Sequence, residues 1–270
     1  MTTRTIPFAE RADDAVHGHW LLARLGKRVL RPGGLELSRT LLAAARIGGT
    51  DVIELAPGLG RTAAEILELW PRSYRGVDSD PVAARATEEV VAPLGTVTTA
   101  DAPQTGLPDA DADVVIGEAM LTMQGEGAKA AIVTEAVRLL RPGGRYAIHE
   151  LALAPDSVPD RVKTDIRKEL ARSIRVNARP LTSAEWQELL TAHGLVVDRV
   201  ETAPMALLDP RRIVADEGWL GALRFGGNLL LHRDARARVK RMRATFTRHR
   251  EHLRGIAIVA HKPQDQPSAG

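Results

Sequence analysis

Hydrophobic and polar positions along the chain follow two different periods. Short apolar runs predict buried β-strands at 51–56, 74–78, 96–100, 113–117 and 144–152. The stretches between them repeat apolar residues at helical spacing and predict helices at 60–70, 80–92 and 127–140. Strands that alternate with helices are joined by right-handed crossovers. The pattern therefore predicts an α/β protein with a mostly parallel sheet and helices on both faces.

Helical patterns also flank this region. Ahead of the first strand, residues 8–30 and 35–47 have the spacing of amphipathic helices. Thr182 and Glu185 form a capping box that opens another helix. Two more strands are predicted, at 195–200 and 254–262. The segment between these two strands is long and helical, although a short connection would be enough to join them.

These patterns divide the chain into four predicted parts. They are a helical arm (1–49), a core (50–204 and 254–263), a helical insertion or lid (205–253) and a disordered tail (264–270). We expect the insertion to lie over the mouth of a cleft and to carry much of the substrate choice, because binding residues concentrate on segments that a rigid scaffold positions.

A glycine loop follows the first predicted strand and opens the first helix of the core. Gly58 and Gly60 allow a tight turn beside a ligand, and a helix N-terminus favours an anionic group. The second strand ends at Asp78, 18 residues after Gly60, where a carboxylate can bind a ribose hydroxyl pair. The spacing Gly58-x-Gly60-x-x-Ala63 also fits a dinucleotide fingerprint, so the loop alone leaves two cofactor classes open.

Several segments together resemble the class I S-adenosylmethionine-dependent methyltransferases. Residues 54–60 read ELAPGLG and resemble motif I of that family, with Ala56 in place of its first glycine. Further likenesses to the family's third strand, motif IV and helix exit before strand five are found at 96–102, 111–121 and 139–145. The resemblance implies a Rossmann-like, seven-stranded sheet whose last strand is antiparallel. Within the family, the likeness is to the ubiquinone/menaquinone-biosynthesis type.

The resemblance implies S-adenosylmethionine as cofactor and assigns residues to its parts. It places the methionine part against the loop and two acidic residues, namely Glu54, Ala56, Pro57, Gly58, Gly60 and Glu118. It places the ribose at Asp78 and Ser79, and the adenine at Asp101 and Ala102.

His149 is the candidate general base, because an imidazole with an ordinary pKa near 6.5 can take a proton from an acceptor. A hydrogen-bonded structural histidine is the alternative. Strand alternation puts His149 and Glu150 on opposite faces, so only one of them is expected to face the cleft.

Three rival functions stay open. A nicotinamide oxidoreductase is disfavoured because neither Tyr74 nor Tyr146 is followed four residues later by Lys. An RNA methyltransferase would use the basic segment 233–254, which equally fits a helix that packs Val239, Met242 and Phe246 inward and coats its outer face with Arg. A cofactor-binding module without activity is the third rival.

Composition narrows the partners. Aromatic residues make up only 3% of the chain, which disfavours a base-stacking surface for single-stranded nucleic acid. The net charge of +3 is only mildly basic and does not by itself indicate a polyanionic partner. The chain has no cysteine, which excludes disulfides, thiolate metal sites and a cysteine nucleophile. His17 and His19 lack a third metal ligand in the pattern, so no metal site is predicted. We expect a small-molecule substrate, no membrane span and a cytoplasmic location, and we leave a homodimer open.

Overall fold

The structure, a computed structural model, describes residues 17–264. Its strands are β1 (Asp51–Leu55), β2 (Ser73–Asp78), β3 (Gly95–Thr99), β4 (Ala112–Glu118), β5 (Leu140–Leu153), β6 (Leu181–Thr182), β7 (Val196–Pro204) and β8 (Leu253–His261). Seven of them lie side by side in the order β3-β2-β1-β4-β5-β8-β7, and the two-residue β6 pairs with β5. The predicted seven-stranded, mostly parallel sheet is therefore confirmed, with β6 as an addition.

The helices within the described range are α1 (Gly18–Arg24), α2 (Gly34–Ala45), α3 (Arg61–Leu67), α4 (Pro81–Val91), α5 (Glu126–Leu139), α6 (Asp160–Ile174), α7 (Ser183–Thr191), α8 (Pro210–Leu231) and α9 (Arg233–Arg248), with a single turn of 3-10 helix at Leu121–Met123. The predicted capping box at the start of α7 is formed, since Thr182 and Glu185 bond to each other's backbone N–H. Residues 1–16 of the predicted arm and 265–270 of the predicted tail lie outside the described range.

Parallel pairing brings the carboxyl ends of β1, β2 and β4 to one edge. Leu55 of β1 pairs with Val77 of β2 and with Gly117 of β4, so residues that end these strands are neighbours. Strand β8 runs antiparallel to both β5 and β7, as the resemblance implies. A ligand site outside the carboxyl ends of the parallel strands is the usual consequence of this topology.

Three clusters of buried apolar side chains hold these layers together. Two of them cover the two faces of the sheet, one around Trp186 and Tyr146 and the other around Tyr74 and α2. The third joins α1, α6, α8 and α9 and contains no residue of β1 to β4. Helix α1 of the arm and the insertion therefore pack with α6 on the ends of β5 and β8, whereas α2 of the arm packs on the sheet.

A buried ionic latch joins the arm to the insertion. The Lys27 ammonium lies 3.8 Å from an Asp216 carboxylate oxygen and 3.7 Å from one of Glu217, and all three side chains are at most 2% exposed. Glu217 also accepts hydrogen bonds of 2.8 Å from the backbone N–H groups of Arg28 and Val29. We call the Lys27, Asp216 and Glu217 cluster the latch, and it fixes the turn that follows α1 against α8.

The arm also lies directly on the sheet. A Cβ atom on Gly255 of β8 would lie 2.5 Å from the backbone nitrogen of Gly33, a distance no real Cβ tolerates. Only glycine therefore fits at this crossing. No helix within residues 17–264 is long and apolar enough to cross a membrane.

Candidate active site

The glycine loop turns tightly at three alternate positions. Ala56, Gly58 and Gly60 all have left-handed backbone, with φ of 53°, 63° and 71°. This conformation strains a residue with a Cβ by about 1–2 kcal/mol, so Ala56 is strained where the family has glycine. A Cβ on Gly60 would lie 3.1 Å from Val90, whereas one on Gly58 would meet nothing within 4 Å. Gly60 is needed for packing on α4, and Gly58 leaves open space for a ligand.

Asp78 is tied to this loop at the end of β2. Its carboxylate accepts hydrogen bonds of 3.0 Å from the Gly58 N–H and 2.9 Å from the Asp80 N–H. Burial raises the pKa of Asp78, and these two backbone donors act against that rise. A carboxylate has about four acceptor positions, so two remain for hydroxyl groups of a ligand.

A buried polar cluster lies beside the loop at the end of β4. Glu118 forms an ion pair with Arg31 of the arm and accepts a hydrogen bond from Thr62 of α3, and Arg31 also donates a hydrogen bond to Thr62. Burial alone would raise the pKa of Glu118, but Arg31 and His149 outweigh it and hold the pKa at about 2. Glu118 is therefore a carboxylate at neutral pH and forms a buried ion pair with Arg31.

His149 belongs to the same cluster and is completely buried. Its Nε2 accepts a hydrogen bond of 3.2 Å from the Gly33 N–H, so the ring proton lies on Nδ1. Nδ1 is 3.1 Å from Glu118 Oε1 and 3.2 Å from Ser38 Oγ. Both ring nitrogens are thus engaged, and His149 is not among the residues that line the cavity. This geometry favours the alternative of a structural histidine over the predicted general base.

Glu150, on the opposite face of β5, anchors the loop after β4. It is completely buried and accepts hydrogen bonds from the backbone N–H groups of Met120, Leu121 and Thr122, at 2.8–3.0 Å, and from the Thr122 hydroxyl at 2.6 Å. Burial raises its pKa against these donors. The loop at 119–123 is therefore rigidly placed at the wall of the cavity.

Glu54 lies behind the loop rather than in the cavity. The Tyr74 hydroxyl donates a hydrogen bond of 2.7 Å to it, and only 2% of the residue is exposed. Burial, reinforced by the nearby Glu118 carboxylate, raises the pKa of Glu54 to about 7. The two acidic side chains at this edge thus have opposite pKa shifts.

One cavity of about 270 Å³ joins the glycine loop to an apolar chamber. Of the predicted cofactor residues, five line it, namely Ala56, Pro57, Gly58, Asp78 and Glu118. The others lie outside its lining, namely Glu54, Gly60, Ser79, Asp101 and Ala102. Ser79 and Asp101 are exposed at the outer rim, beyond the ends of β2 and β3.

The chamber is formed mainly by segments that carry no motif. Its apolar wall comes from the arm, α6 and the loop after it, and the insertion, and includes Trp20, Leu30, Leu170, Ile174, Val176, Met205, Leu207, Met242 and Phe246. Val239, Met242 and Phe246 are buried, so the predicted inward packing of the basic helix α9 is confirmed. The additional finding is that two of these residues face the cavity.

Five polar residues of the cavity lining were not predicted from the sequence, namely His19, Arg28, Arg31, Arg61 and Thr122. Arg31 is 7% exposed, and its Nη1 has no hydrogen-bond partner within the described residues. His19 also lines the cavity, and burial, with a smaller contribution from His17, lowers its pKa to about 4. His17 and His19 lie closer than the helical spacing suggests, with ring centroids 5.7 Å apart, because His17 precedes α1. Residues 17–264 contain no cluster of three or more His, Asp or Glu that could hold a metal.

The comparisons with known proteins agree with this architecture. A family profile described as a methyltransferase domain matches residues 52–144. An uncharacterized protein of Haemophilus influenzae is 31% identical over 251 residues, which cover 91% of this chain and 98% of that protein. Phosphoethanolamine N-methyltransferase 2 of Haemonchus contortus, solved with S-adenosyl-L-methionine, has a TM-score of 0.65 at 15% identity, over 95% of this chain and 59% of that one. The [4+2]-cyclase SpnF has a TM-score of 0.67 at 17% identity, over 90% and 92%.

Proposed function

We propose that this chain, which carries a methyltransferase domain at residues 52–144, is a class I enzyme that transfers a methyl group from S-adenosylmethionine to a small molecule with an apolar body. The observation that carries the proposal is the continuous cavity, which connects the glycine loop and Asp78 to the apolar chamber. The expected ubiquinone/menaquinone-biosynthesis subtype stays a prediction, as do the acceptor atom and the homodimer.

The residues present fit the nucleoside part of this cofactor. Gly58 leaves the space above the loop open, and Asp78 keeps two acceptor positions for ribose hydroxyls. We retain Ser79, Asp101 and Ala102 as the rim that would meet the ribose edge and adenine. Since their side chains do not line the cavity, their contribution would be smaller than that of Asp78.

The amino-acid end of the cofactor is a zwitterion, and the buried cluster offers both complementary charges. Glu118 is an acceptor for the ammonium group, and the unpaired Nη1 of Arg31 is a donor for the carboxylate. Glu54 would act behind them, through its charge rather than by direct contact. His149 would position Glu118 through Nδ1 and the arm through Nε2.

The cofactor, when bound, supplies a methyl group already activated by a positively charged sulfur. The protein's part is then to align donor and acceptor, which can lower a barrier by about 7–11 kcal/mol. Within the described part of the cavity, His19 is the imidazole that faces the chamber, and its low pKa makes it a weak base. The site therefore suits an acceptor that is already nucleophilic at neutral pH.

The apolar wall supports a small molecule over RNA as acceptor. Aliphatic, methionine and aromatic side chains of the chamber would desolvate an apolar body favourably, whereas a phosphate backbone needs cations beside it. The cations of α9 do not line the chamber, and apart from the buried Arg238 they lie at the surface of the insertion.

Calorimetry with S-adenosylmethionine, S-adenosylhomocysteine, NADH and NADPH, run in parallel, tests the cofactor class. We expect the first two to bind, and Asp78→Ala to weaken their binding at least about a hundredfold, since it removes two charge-assisted hydrogen bonds. The exposed Asp165→Ala variant is the matched control and should bind like the wild type.

Binding of NADPH alone would refute the proposal. Unchanged S-adenosylhomocysteine binding in Asp78→Ala would show that the cofactor lies elsewhere. Tight cofactor binding without turnover on any extract would instead favour the module without activity.

A further inference from the structure

Helix α8 is broken by a kink at Gly218, and it carries both buried and exposed apolar side chains. Ile213 and Phe225 are buried in the cluster that joins the arm to the insertion. By contrast, five large apolar side chains are 68–84% exposed, namely Trp219, Leu220, Leu223, Leu230 and Leu231. Single exposed apolar residues are common, but a group of five on one helix marks an interaction surface. We call these five residues the outer face of α8.

A groove between α8 and α9 adds cations to this face. Trp219, Leu223 and Leu230 form its apolar side, and Arg236, Lys240 and Arg243 of α9 form its basic side. None of these three cations has a hydrogen bond or ion pair to an acidic side chain among the interactions of the described residues. The groove therefore combines apolar side chains with unneutralised positive charge.

The charge of the insertion differs in sign from that of the rest of the chain. Residues 205–253 contain 11 Lys and Arg against 5 Asp and Glu, whereas the remainder contains 26 against 29. The small net charge of the whole protein thus conceals a basic insertion on an acidic body. An anionic partner is the complement of this surface.

We propose that the outer face of α8 and the basic side of the groove dock on an anionic lipid bilayer. Trp and Leu beside Lys and Arg are the combination by which amphipathic helices bind membrane surfaces, with apolar groups in the acyl boundary and cations at the headgroups. RNA would bind the cations through its phosphates but would leave the leucines of the outer face exposed to water. A second copy of the chain would bring two basic surfaces together, which like charges oppose.

The docking face lies next to the chamber proposed for the acceptor. Leu207 lines the chamber and its neighbour Leu208 lines the groove, while α9 presents Phe246 to one and Lys240 to the other. The insertion is thus a wall with the chamber on its inner side and the lipid surface on its outer side. This inference does not require that the cofactor assignment is correct.

Vesicle co-sedimentation with the full chain tests the proposal. We expect the protein to pellet with vesicles of phosphatidylcholine mixed with phosphatidylglycerol and to stay largely in solution with phosphatidylcholine alone. Replacing Arg236, Lys240 and Arg243 together by Ser should weaken binding about a hundredfold, since each cation near an anionic surface contributes about fivefold. The double variant Trp219→Ser, Leu223→Ser should weaken it about tenfold or more.

The matched control is Trp70→Ser, because Trp70 is 82% exposed but lies at the end of α3, away from the insertion. It should bind vesicles like the wild type. All replaced side chains of the apolar variants are exposed, and unchanged circular dichroism melting would show that the variants are folded.

Two results would overturn the proposal. The first is that the wild type does not bind the anionic vesicles, and the second is that the Trp219 and Leu223 variant binds them undiminished. In the first case, a dimer that the same variant dissociates would identify a second copy as the partner, and binding of an RNA oligonucleotide through the three cations alone would identify RNA.

Discussion

Two halves enclose the cavity, and they bury charge in different ways. In the sheet half, Glu118 at the end of β4 and Glu150 within β5 are held by donors from adjacent loops and from α3, and by Arg31 of the arm. In the half formed by α1, α6 and the insertion, the wall of the cavity is mainly apolar, and the buried charges, namely the latch and Arg238, do not line it. The difference shows that polar contacts fix one end of the cavity, whereas apolar packing and the latch hold the other.

The largest expected effect comes from breaking the latch. Lys27→Met keeps the volume of the side chain but leaves Asp216 and Glu217 buried without their cation, which should cost about 3–5 kcal/mol of unfolding free energy. Hydrogen exchange should rise in α1 and α8 and stay slow in β1, β4 and β5. Denaturant unfolding and exchange measured by mass spectrometry check the two parts.

Arg28→Met is the matched control for the latch. Arg28 is 64% exposed and also approaches Glu217, at 3.7 Å, so its loss should change stability by less than about 1 kcal/mol. Equal losses for the two variants would mean that the arm is held by packing and not by the buried cation.

An intermediate effect is expected from Glu54, which tests the sheet half. Its folded pKa is about 7 and lies above its unfolded value, so its contribution to stability is fully present below about pH 4.5 and is lost as the pH rises through 7. Glu54→Gln keeps an acceptor for Tyr74 and removes the titration. The variant should gain on the order of 2–3 kcal/mol over the wild type between about pH 5 and pH 8.

Urea unfolding of both proteins across that range measures the difference. Glu118 acts in the opposite sense, because its folded pKa of about 2 lies below its unfolded value. Its contribution to the free energy of unfolding is therefore fully present above about pH 4.5 and is lost as the pH falls towards 2. A constant difference between wild type and Glu54→Gln over the whole range would contradict the assigned burial.

The last pair of substitutions, in the glycine loop, distinguishes a glycine needed for packing from a glycine that leaves space for a ligand. Gly60→Ala combines a left-handed φ with contacts of 3.1–3.2 Å to α4 and should cost about 2–3 kcal/mol. Gly58→Ala has the strained φ without the contacts and should cost about 1 kcal/mol, while the added methyl group enters the space proposed for the cofactor. Gly58→Ala should therefore lose more S-adenosylhomocysteine affinity than stability, as calorimetry and urea unfolding can show.

Equal losses of stability in the two glycine variants would contradict this division of roles. It would mean that the loop is free to shift away from α4, so that backbone strain alone decides both.

The local pattern of hydrophobic and polar residues was sufficient to predict the strands and the helix N-terminus that form the sheet half of the cavity. The apolar runs placed β1, β2 and β4, and pairing in parallel necessarily brought Asp78 and Glu118 to one edge. It was also sufficient for α9, because the spacing of Val239, Met242 and Phe246 defines an inward face. These inferences succeed because neighbours in sequence decide both the element and the direction of its side chains.

The other half could not be predicted because its contacts join distant parts of the chain. Arg31 belongs to an Arg-Pro-Gly-Gly segment that is typical of a helix end, and nothing near it in sequence indicates Glu118 as partner. The latch likewise pairs Lys27 with residues about 190 positions away. His149 was predicted at the end of the fifth strand but lies four residues before the end of β5, and its hydrogen bond to Gly33 depends on how the arm crosses the sheet.

The short distance in sequence between Lys27 and Arg31 gives the latch a thermodynamic meaning. The latch and the ion pair between Arg31 and Glu118 hold two ends of the same five-residue segment, one against α8 and the other against the end of β4. If opening of the latch displaces this segment, a molecule bound at Glu118 and the intact latch would stabilise each other by the same factor, since such linkage is reciprocal. Ligand affinity would then fall in Lys27→Met by the same factor by which a saturating ligand protects the latch.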